Sequence, residues 1–274
     1  MWISTSFFMM LHIPLRTETT SLMSSGKTLR KGVRKMKREI LYPELTTLYG
    51  DGGNMLLLKQ CCNDAVFRET GLEEVPWFVS EDVDFICIGS MSEPKQLLVR
   101  EKLKPYKERI RELIEKGTVF LVTGNAMELF GQYIEDRKER MEMLGIFDYH
   151  AQRNLDKRLN YIVLAQYEKL PVVGVKSQFS QIHGLDNHHF LKMVKGLGDN
   201  EGSEFEGIHY RNFFGTYCLG PLLVYNPQFT KHLLELCGQK GEIVFEKELE
   251  EAYYERLRKY RHPDSPVVLG HGFI

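Results

Sequence analysis

The sequence predicts a three-layer α/β domain built around a mostly parallel sheet. Three observations carry this: two short, nearly continuous apolar runs at 83–88 (VDFICI) and 118–123 (TVFLVT), an amphipathic stretch between them at 95–116, and the short turns that join these pieces. Apolar runs of this length mark strands buried on both faces. A helix between two such strands makes a βαβ unit, whose strands are parallel and whose crossover is right-handed.

The elements follow in order. Residues 54–62 (NMLLLKQCC), after the pair Gly52-Gly53, read as a helix. Between 95 and 116, Leu98, Leu103, Tyr106, Ile110, Leu113 and Ile114 recur at helical spacing on a charged background, and Gly117 supplies the stop. Gly124-Asn125 turns the second apolar strand into a helix expected over 126–133. The pattern then changes. Segments 161–166, 172–176, 190–195 and 208–217 read as strands separated by Gly, Asp and Asn turns, and antiparallel pairing at a sheet edge is expected for them. Helices over 227–237 and 245–260 close the domain, and the tail from Arg261, with Pro263, Pro266, Gly270 and Gly272, reads as loose.

Composition narrows the function classes. At 274 residues and 43% hydrophobic, the chain builds one sizeable core. Its 36 basic and 37 acidic side chains leave a formal net charge of −1, without the basic excess of a general nucleic-acid binder. No apolar run reaches the roughly 18 residues of a membrane span. The five cysteines are odd in number and lack CxxC pairs, the usage of a reducing cytoplasm rather than of a disulfide framework or zinc ribbon. The first 15 residues are apolar, 17–25 are rich in hydroxyls, and a basic stretch from Lys27 to Arg38 follows. A secretory signal has the reverse order. Residues 1–38 therefore read as a disordered extension, with Met36 a candidate start and a weak membrane-surface anchor as the alternative. The globular domain is placed at 39–260.

Four segments then carry a resemblance. They are 41–58 (LYPELTTLYGDGGNMLLL), 85–96 (FICIGSMSEPKQ), 121–131 (LVTGNAMELFG) and 206–227 (EGIHYRNFFGTYCLGPLLVYNP). In order and spacing they resemble the class I glutamine amidotransferase domain of the CobB/CobQ type, and within it the GatD subunit of lipid II isoglutaminyl synthase. That family's patterns read LYxDLxNxYGDxGN, a glycine-rich strand end, ICGGYQLLG, and EGxxYxNxxGTYLHGPLLxxNP. The resemblance covers about 40–260. It implies a flavodoxin-like, class I amidotransferase fold and a glutaminase chemistry. In that chemistry a thiolate on a tight strand-to-helix turn attacks the glutamine side-chain amide, and a late-strand histidine moves the proton. Backbone N–H groups at the glycine-rich strand end hold the oxyanion.

The sequence departs from that pattern at the two reacting positions. Gly124 stands where the resemblance puts the nucleophilic cysteine, and Leu219 where it puts the histidine, with intact flanks at Leu129-Phe130-Gly131 and Gly215-Thr216-Tyr217. Glycine carries no nucleophile and leucine moves no proton. Cys218, one position from the histidine site, is expected to point to the other face of its strand. Cys61, Cys62 and Cys87 read as packing residues. His183, Asp186, His188 and His189 read as loop polarity rather than as a metal site, and nothing implies a cofactor. Ligand-holding positions are expected at Gly89 and Ser90 in the strand-end turn, at Asn125 and Glu128 after the elbow, and at Arg158, which the resemblance matches to an arginine of the glutaminase site. Glu128 replaces a glutamine beside the substrate and is expected to add negative charge to the pocket. The turn at 50–54 lacks the lysine of a phosphate-binding loop, and Gly124-Asn125 is no G-x-S-x-G elbow.

Three functions fit these residues. One is a catalytically inactive amidotransferase subunit that partners a Mur-ligase-like (MurT-type) ATP-dependent enzyme. Another is a module that binds glutamine or a related amino acid without hydrolysis. The last is an active enzyme with relocated catalytic residues. Peptidoglycan and cobamide amidation both remain open as pathways.

Overall fold

The computed structural model describes residues 35–270. Along the chain lie β1 (Lys37–Leu41), α1 (Asp51–Cys61), β2 (Val66–Thr70), α2 (Trp77–Ser80), β3 (Phe85–Ile88), α3 (Glu93–Leu103), α4 (Lys107–Lys116) and β4 (Val119–Thr123). A 3-10 helix, Gly124–Phe130, precedes β5 (Tyr133–Asp136), β6 (Glu139–Glu142), β7 (His150–Arg153), β8 (Leu159–Tyr167), β9 (Leu170–Gln178) and β10 (Ser180–His183). Then come β11 (His189–Lys195), β12 (Phe205–Tyr210), β13 (Phe213–Thr216), α5 (Leu222–Tyr225), α6 (Pro227–Leu236) and α7 (Glu246–Arg261).

The nine-stranded main sheet has the order β2-β1-β3-β4-β13-β12-β11-β8-β9. Strands β2, β1, β3, β4 and β13 are parallel. From β13 onward each pairing is antiparallel, as the sequence predicts for its second half. Side-chain alternation explains why the apolar runs are continuous. Phe85 and Cys87 of β3, with Val119 and Leu121 of β4, join the core under α1, α5 and α6. Their neighbours Ile86, Ile88, Phe120 and Val122 join the core under α3 and α4 on the opposite face. A strand buried on both sides has no polar face to show. Helix α7 covers the antiparallel extension through Tyr253 and Leu257, packed on Leu164 and Val173. A second sheet, β10-β7-β5-β6, sits beside the α3/α4 layer through Ile134, Ala151 and Ile182.

Five expectations need correction. The helix expected at 126–133 is a 3-10 turn ending at Phe130. Gly131 goes extended (φ −75°, ψ −174°) and its N–H bonds back to Glu128, because the chain must enter the small sheet at β5. The single helix expected over 95–116 is two, α3 and α4, joined by a 3-10 turn holding Pro105, which lacks the N–H that a helix interior needs. The strand expected over 208–217 is the hairpin β12–β13, turned at Arg211 (φ 53°). The tail is not loose at its start: Ile162 N–H donates to the Val267 carbonyl and Leu269 N–H to that of Asn160, so 267–269 runs along β8. Lys37 and Arg38, assigned to the extension, belong to β1, while residues 1–34 lie outside the described residues. Among the described residues no helix is long and apolar enough to cross a membrane.

Candidate functional site

Loops at the carboxyl ends of parallel strands gather where an open α/β sheet binds ligands. Here β3 runs into Gly89-Ser90-Met91, β4 into Gly124-Asn125, and β13 leads to Tyr217-Cys218-Leu219. Together with Tyr49, Arg158, Ser177 and Gln178, residues of these turns line a cavity of about 120 Å³.

Gly124 keeps the tight strand-to-helix turn. Its φ of +63° lies in the left-handed region, where a residue with a Cβ is strained. A Cβ built on it would stand 3.5 Å from Leu219 Cδ2. The positions that the resemblance gives to the nucleophile and its base are thus in van der Waals contact across the cavity. Cys218 is fully buried, its Sγ against Gly174, and burial pushes its thiol well above the usual range. It therefore points where strand alternation predicts. His209 stacks on Phe214 at 4.4 Å, and no histidine lines the cavity among the described residues.

Asp51, fully buried at the start of α1, organises the strand-end turn. Its Oδ2 accepts from the Ser90 N–H (2.7 Å) and lies 2.6 Å from Ser90 Oγ, while its Oδ1 accepts from Asn54 (3.1 Å). Burial pushes the Asp51 carboxyl up. The Ser90 hydroxyl also lies 2.8 Å from the Leu48 carbonyl, so its one proton has two acceptors within reach. Gly89 is pressed against the Thr46 carbonyl and Asp51, which leaves no room for a side chain. Asn125 clamps the next residue: its Oδ1 accepts from the Met91 N–H (3.0 Å) and its Nδ2 donates to the Met91 carbonyl (2.8 Å). The N–H groups of Ser90 and Met91 are therefore both occupied by the protein's own side chains. An oxyanion hole would need such donors free.

Glu128 behaves differently from expectation. It is 2% exposed, and Arg153 meets its Oε2 at 2.6 Å. Gln96 Nε2 donates to the same oxygen at 3.1 Å and the Tyr217 hydroxyl to Oε1 at 2.7 Å. Arg153 also donates to the Gln96 side-chain carbonyl. The added charge is thus neutralised within a buried network and does not face the cavity unpaired. A neutral glutamine there would have no reason to require Arg153, whose position in β7 no sequence motif marks.

Arg158 sits at the exposed rim. It donates to the Tyr49 hydroxyl (2.8 Å), lies over the Phe179 ring (4.4 Å), and has no carboxylate partner among the described residues. Gln178 lines the same cavity. Its Nε2 donates to the Ser180 carbonyl, and its buried Oε1 has no hydrogen-bond partner. Behind the histidine position, Glu206 accepts from the Tyr217 N–H (2.7 Å) and the Thr216 hydroxyl (2.6 Å), with Lys176 Nζ 3.6 Å away. Asp199 completes this buried group. Burial first, then the Glu206 charge, push its carboxyl up to about 7. The sequence holds the motif around Glu206 and Tyr217, but Lys176 and Asp199 come from other strands and loops.

These turns coincide with a recognised domain. Residues 39–227 match the family model of the CobB/CobQ-like glutamine amidotransferase domain. The chain belongs to that family. The amidotransferase domain is also 29% identical, over 206 residues, to the lipid II isoglutaminyl synthase (glutamine-hydrolyzing) subunit GatD of Staphylococcus aureus, covering 73% of this chain and 83% of that protein. The GatD subunit of Streptococcus pneumoniae is 28% identical over 219 residues, covering 73% and 79%. A solved glutamine amidotransferase shares the fold with a TM-score of 0.50 at 13% identity, covering 73% of this chain and 98% of that one.

The remaining candidates fall outside this site. His189 stacks on Phe205 (4.4 Å), His188 packs on Tyr210 (4.9 Å) and His183 on His150 (5.7 Å). Among the described residues, no three His, Cys, Asp or Glu converge to hold a metal ion. Cys62 and Cys87 are buried, and burial raises both thiols, to about 12 for Cys62 and further for Cys87.

Proposed function

We propose that this chain is an amidotransferase-family subunit that does not hydrolyse glutamine. In this reading it serves in the cytoplasm as partner or regulator of a Mur-ligase-like, ATP-dependent amidating enzyme. One observation carries it: Gly124 and Leu219, which the resemblance sets at the nucleophile and histidine positions, face one another, a Cβ built on Gly124 standing 3.5 Å from Leu219 Cδ2. The occupied N–H groups of Ser90 and Met91 support the same reading, since they deny stabilisation to a tetrahedral intermediate. The similarity to lipid II isoglutaminyl synthase subunits favours amidation of a peptidoglycan precursor over cobamide amidation as the partner's reaction. Relocated catalysis has two hydroxyl–carboxylate pairs at this cavity to draw on, Ser90 with Asp51 and Tyr217 with Glu128, the second already engaged by Arg153. The Ser90 hydroxyl lies between the Asp51 carboxyl and the Leu48 carbonyl, and among the described residues no imidazole lines the cavity to carry its proton.

The test is glutamate release by the purified chain, alone and with a co-expressed Mur-ligase-like subunit, together with size-exclusion chromatography of the pair. The expected result is a stable complex, no glutamate above buffer, and amidation supported by ammonium but not by glutamine. Glutamate release by the chain removes the proposal.

A second reading, binding without hydrolysis, is favoured by Arg158 at the rim of the cavity, which has no carboxylate partner among the described residues. A guanidinium suits the carboxylate of an amino acid. Titration calorimetry with glutamine and glutamate, on the native chain and Arg158→Ala, checks it. Binding lost in the variant supports this reading, and no heat from the native chain refutes it.

A further inference from the structure

Gly124 and Ser90 compete for one volume. A Cβ placed on Gly124 stands 2.5 Å from Ser90 Cβ and 3.2 Å from Ser90 Cα. Carbon atoms in contact sit about 3.5–4.0 Å apart, so the overlap with Ser90 Cβ exceeds about 1 Å. The contact involves Cα and Cβ, which no rotamer change can withdraw. Ser90 cannot slide away either. Its N–H is held by Asp51 at 2.7 Å and its hydroxyl lies between Asp51 and Leu48, while Asn125 fixes the following residue from both sides. On the opposite wall Leu219 stands at an ordinary 3.5 Å and would tolerate the added atom.

We propose that Ser90 locks the vacated elbow: its Cβ excludes any side chain at position 124. Restoring the reacting pair by Gly124→Cys and Leu219→His alone therefore leaves no room for a thiol, and Ser90→Gly is the required third change. This rests on reading Gly124 and Leu219 as the vacated catalytic positions, and adds the residue that keeps the centre shut. It also changes how inactivity is understood. A missing reacting pair is two substitutions from return, whereas a filled site needs a third, coordinated change in the turn after β3.

The minimal probe is Gly124→Ala, which adds only the Cβ, measured by thermal unfolding in the native chain and in the Ser90→Gly background. The strain of a Cβ at φ +63° is common to both backgrounds and cancels in the cycle, leaving the steric coupling. The expected Tm drop is larger in the native background by about 2–12 °C, from about 1–3 kcal/mol of overpacking at about 2–4 °C per kcal/mol for a domain of this size. Ser90→Ala keeps the Cβ and is expected to give no relief, which separates bulk from loss of the hydroxyl. In parallel, iodoacetamide labelling at position 124, read by peptide mapping, is expected to be at least ~10-fold faster in the Ser90→Gly/Gly124→Cys/Leu219→His variant than in Gly124→Cys/Leu219→His. Equal Tm drops in the two backgrounds, relief by Ser90→Ala, or equal labelling rates overturn the proposal. Glutamate release by the native chain would instead remove the reading beneath it, and leaves the steric cycle to be decided on its own result.

Discussion

Replacing Glu128 by the glutamine that the family carries at this place is expected to damage the protein. In the structure Glu128 and Arg153 are an ion pair with side chains 1% and 3% exposed, 2.6 Å apart. A glutamine fits the same volume and can keep the hydrogen bonds. Its carbonyl oxygen would face Arg153 and Gln96, and its amide would face the Tyr217 hydroxyl, which can accept as well as donate. What disappears is the negative charge, leaving a guanidinium buried without a counter-charge. Breaking a buried pair from one side costs about 3–5 kcal/mol. At about 2–4 °C per kcal/mol for a domain of 150–250 residues, Glu128→Gln should lower Tm by about 6–20 °C. Removing both charges, as Glu128→Gln with Arg153→Met, should recover most of that loss, because hydrophobic replacement of a buried pair is often neutral. Thermal unfolding by circular dichroism and urea titration of the two variants decide the matter. A Tm within about 2 °C of native for Glu128→Gln, or a double variant no more stable than the single one, would refute the argument that the charge at 128 exists to match Arg153.

Two other outcomes follow from buried groups. The Asp199 carboxyl titrates near 7 in the folded protein against an ordinary value of 3.8, so its contribution to stability is complete below about pH 4 and is lost as pH rises through about 7. Asp199→Asn removes that loss. Relative to native its stability should be unchanged near pH 4 and higher at pH 8, by up to about 4 kcal/mol, the free energy of holding a carboxyl at about 7 instead of 3.8. Thermal unfolding at the two pH values checks this, and a difference independent of pH would count against the assignment. Asn226, 1% exposed, accepts from the Val173 N–H and donates to the Val173 and Leu222 carbonyls, each at 2.8 Å. Asn226→Ala orphans these buried groups and should cost about 2–4 kcal/mol in urea unfolding, whereas a cost below about 1 kcal/mol would mean that water replaces the side chain.

Sequence by itself determined the layered architecture, because a strand buried on both faces must be apolar throughout and a helix on a charged background must show its period. Segments 83–88 and 118–123 and the amphipathic residues between them leave little else to fold into. The elbow was legible only through the resemblance, which sets Gly124 and Leu219 each within its own run of matching flanks. Three features belong to tertiary structure alone. The small sheet adds β7 and β10 to the local β5–β6 hairpin from further along the chain, and four-residue polar strands carry too few side chains to show a period. The neutralisation of Glu128 depends on Arg153 arriving from β7, so the sequence could show an added charge but not its counter-charge. And Ser90 fills the elbow because β3 and β4 are adjacent and in register, with Ile88 beside Val122. Which residues lie along one strand is written in the order of the chain, while which atoms claim one volume is settled only when two strands meet.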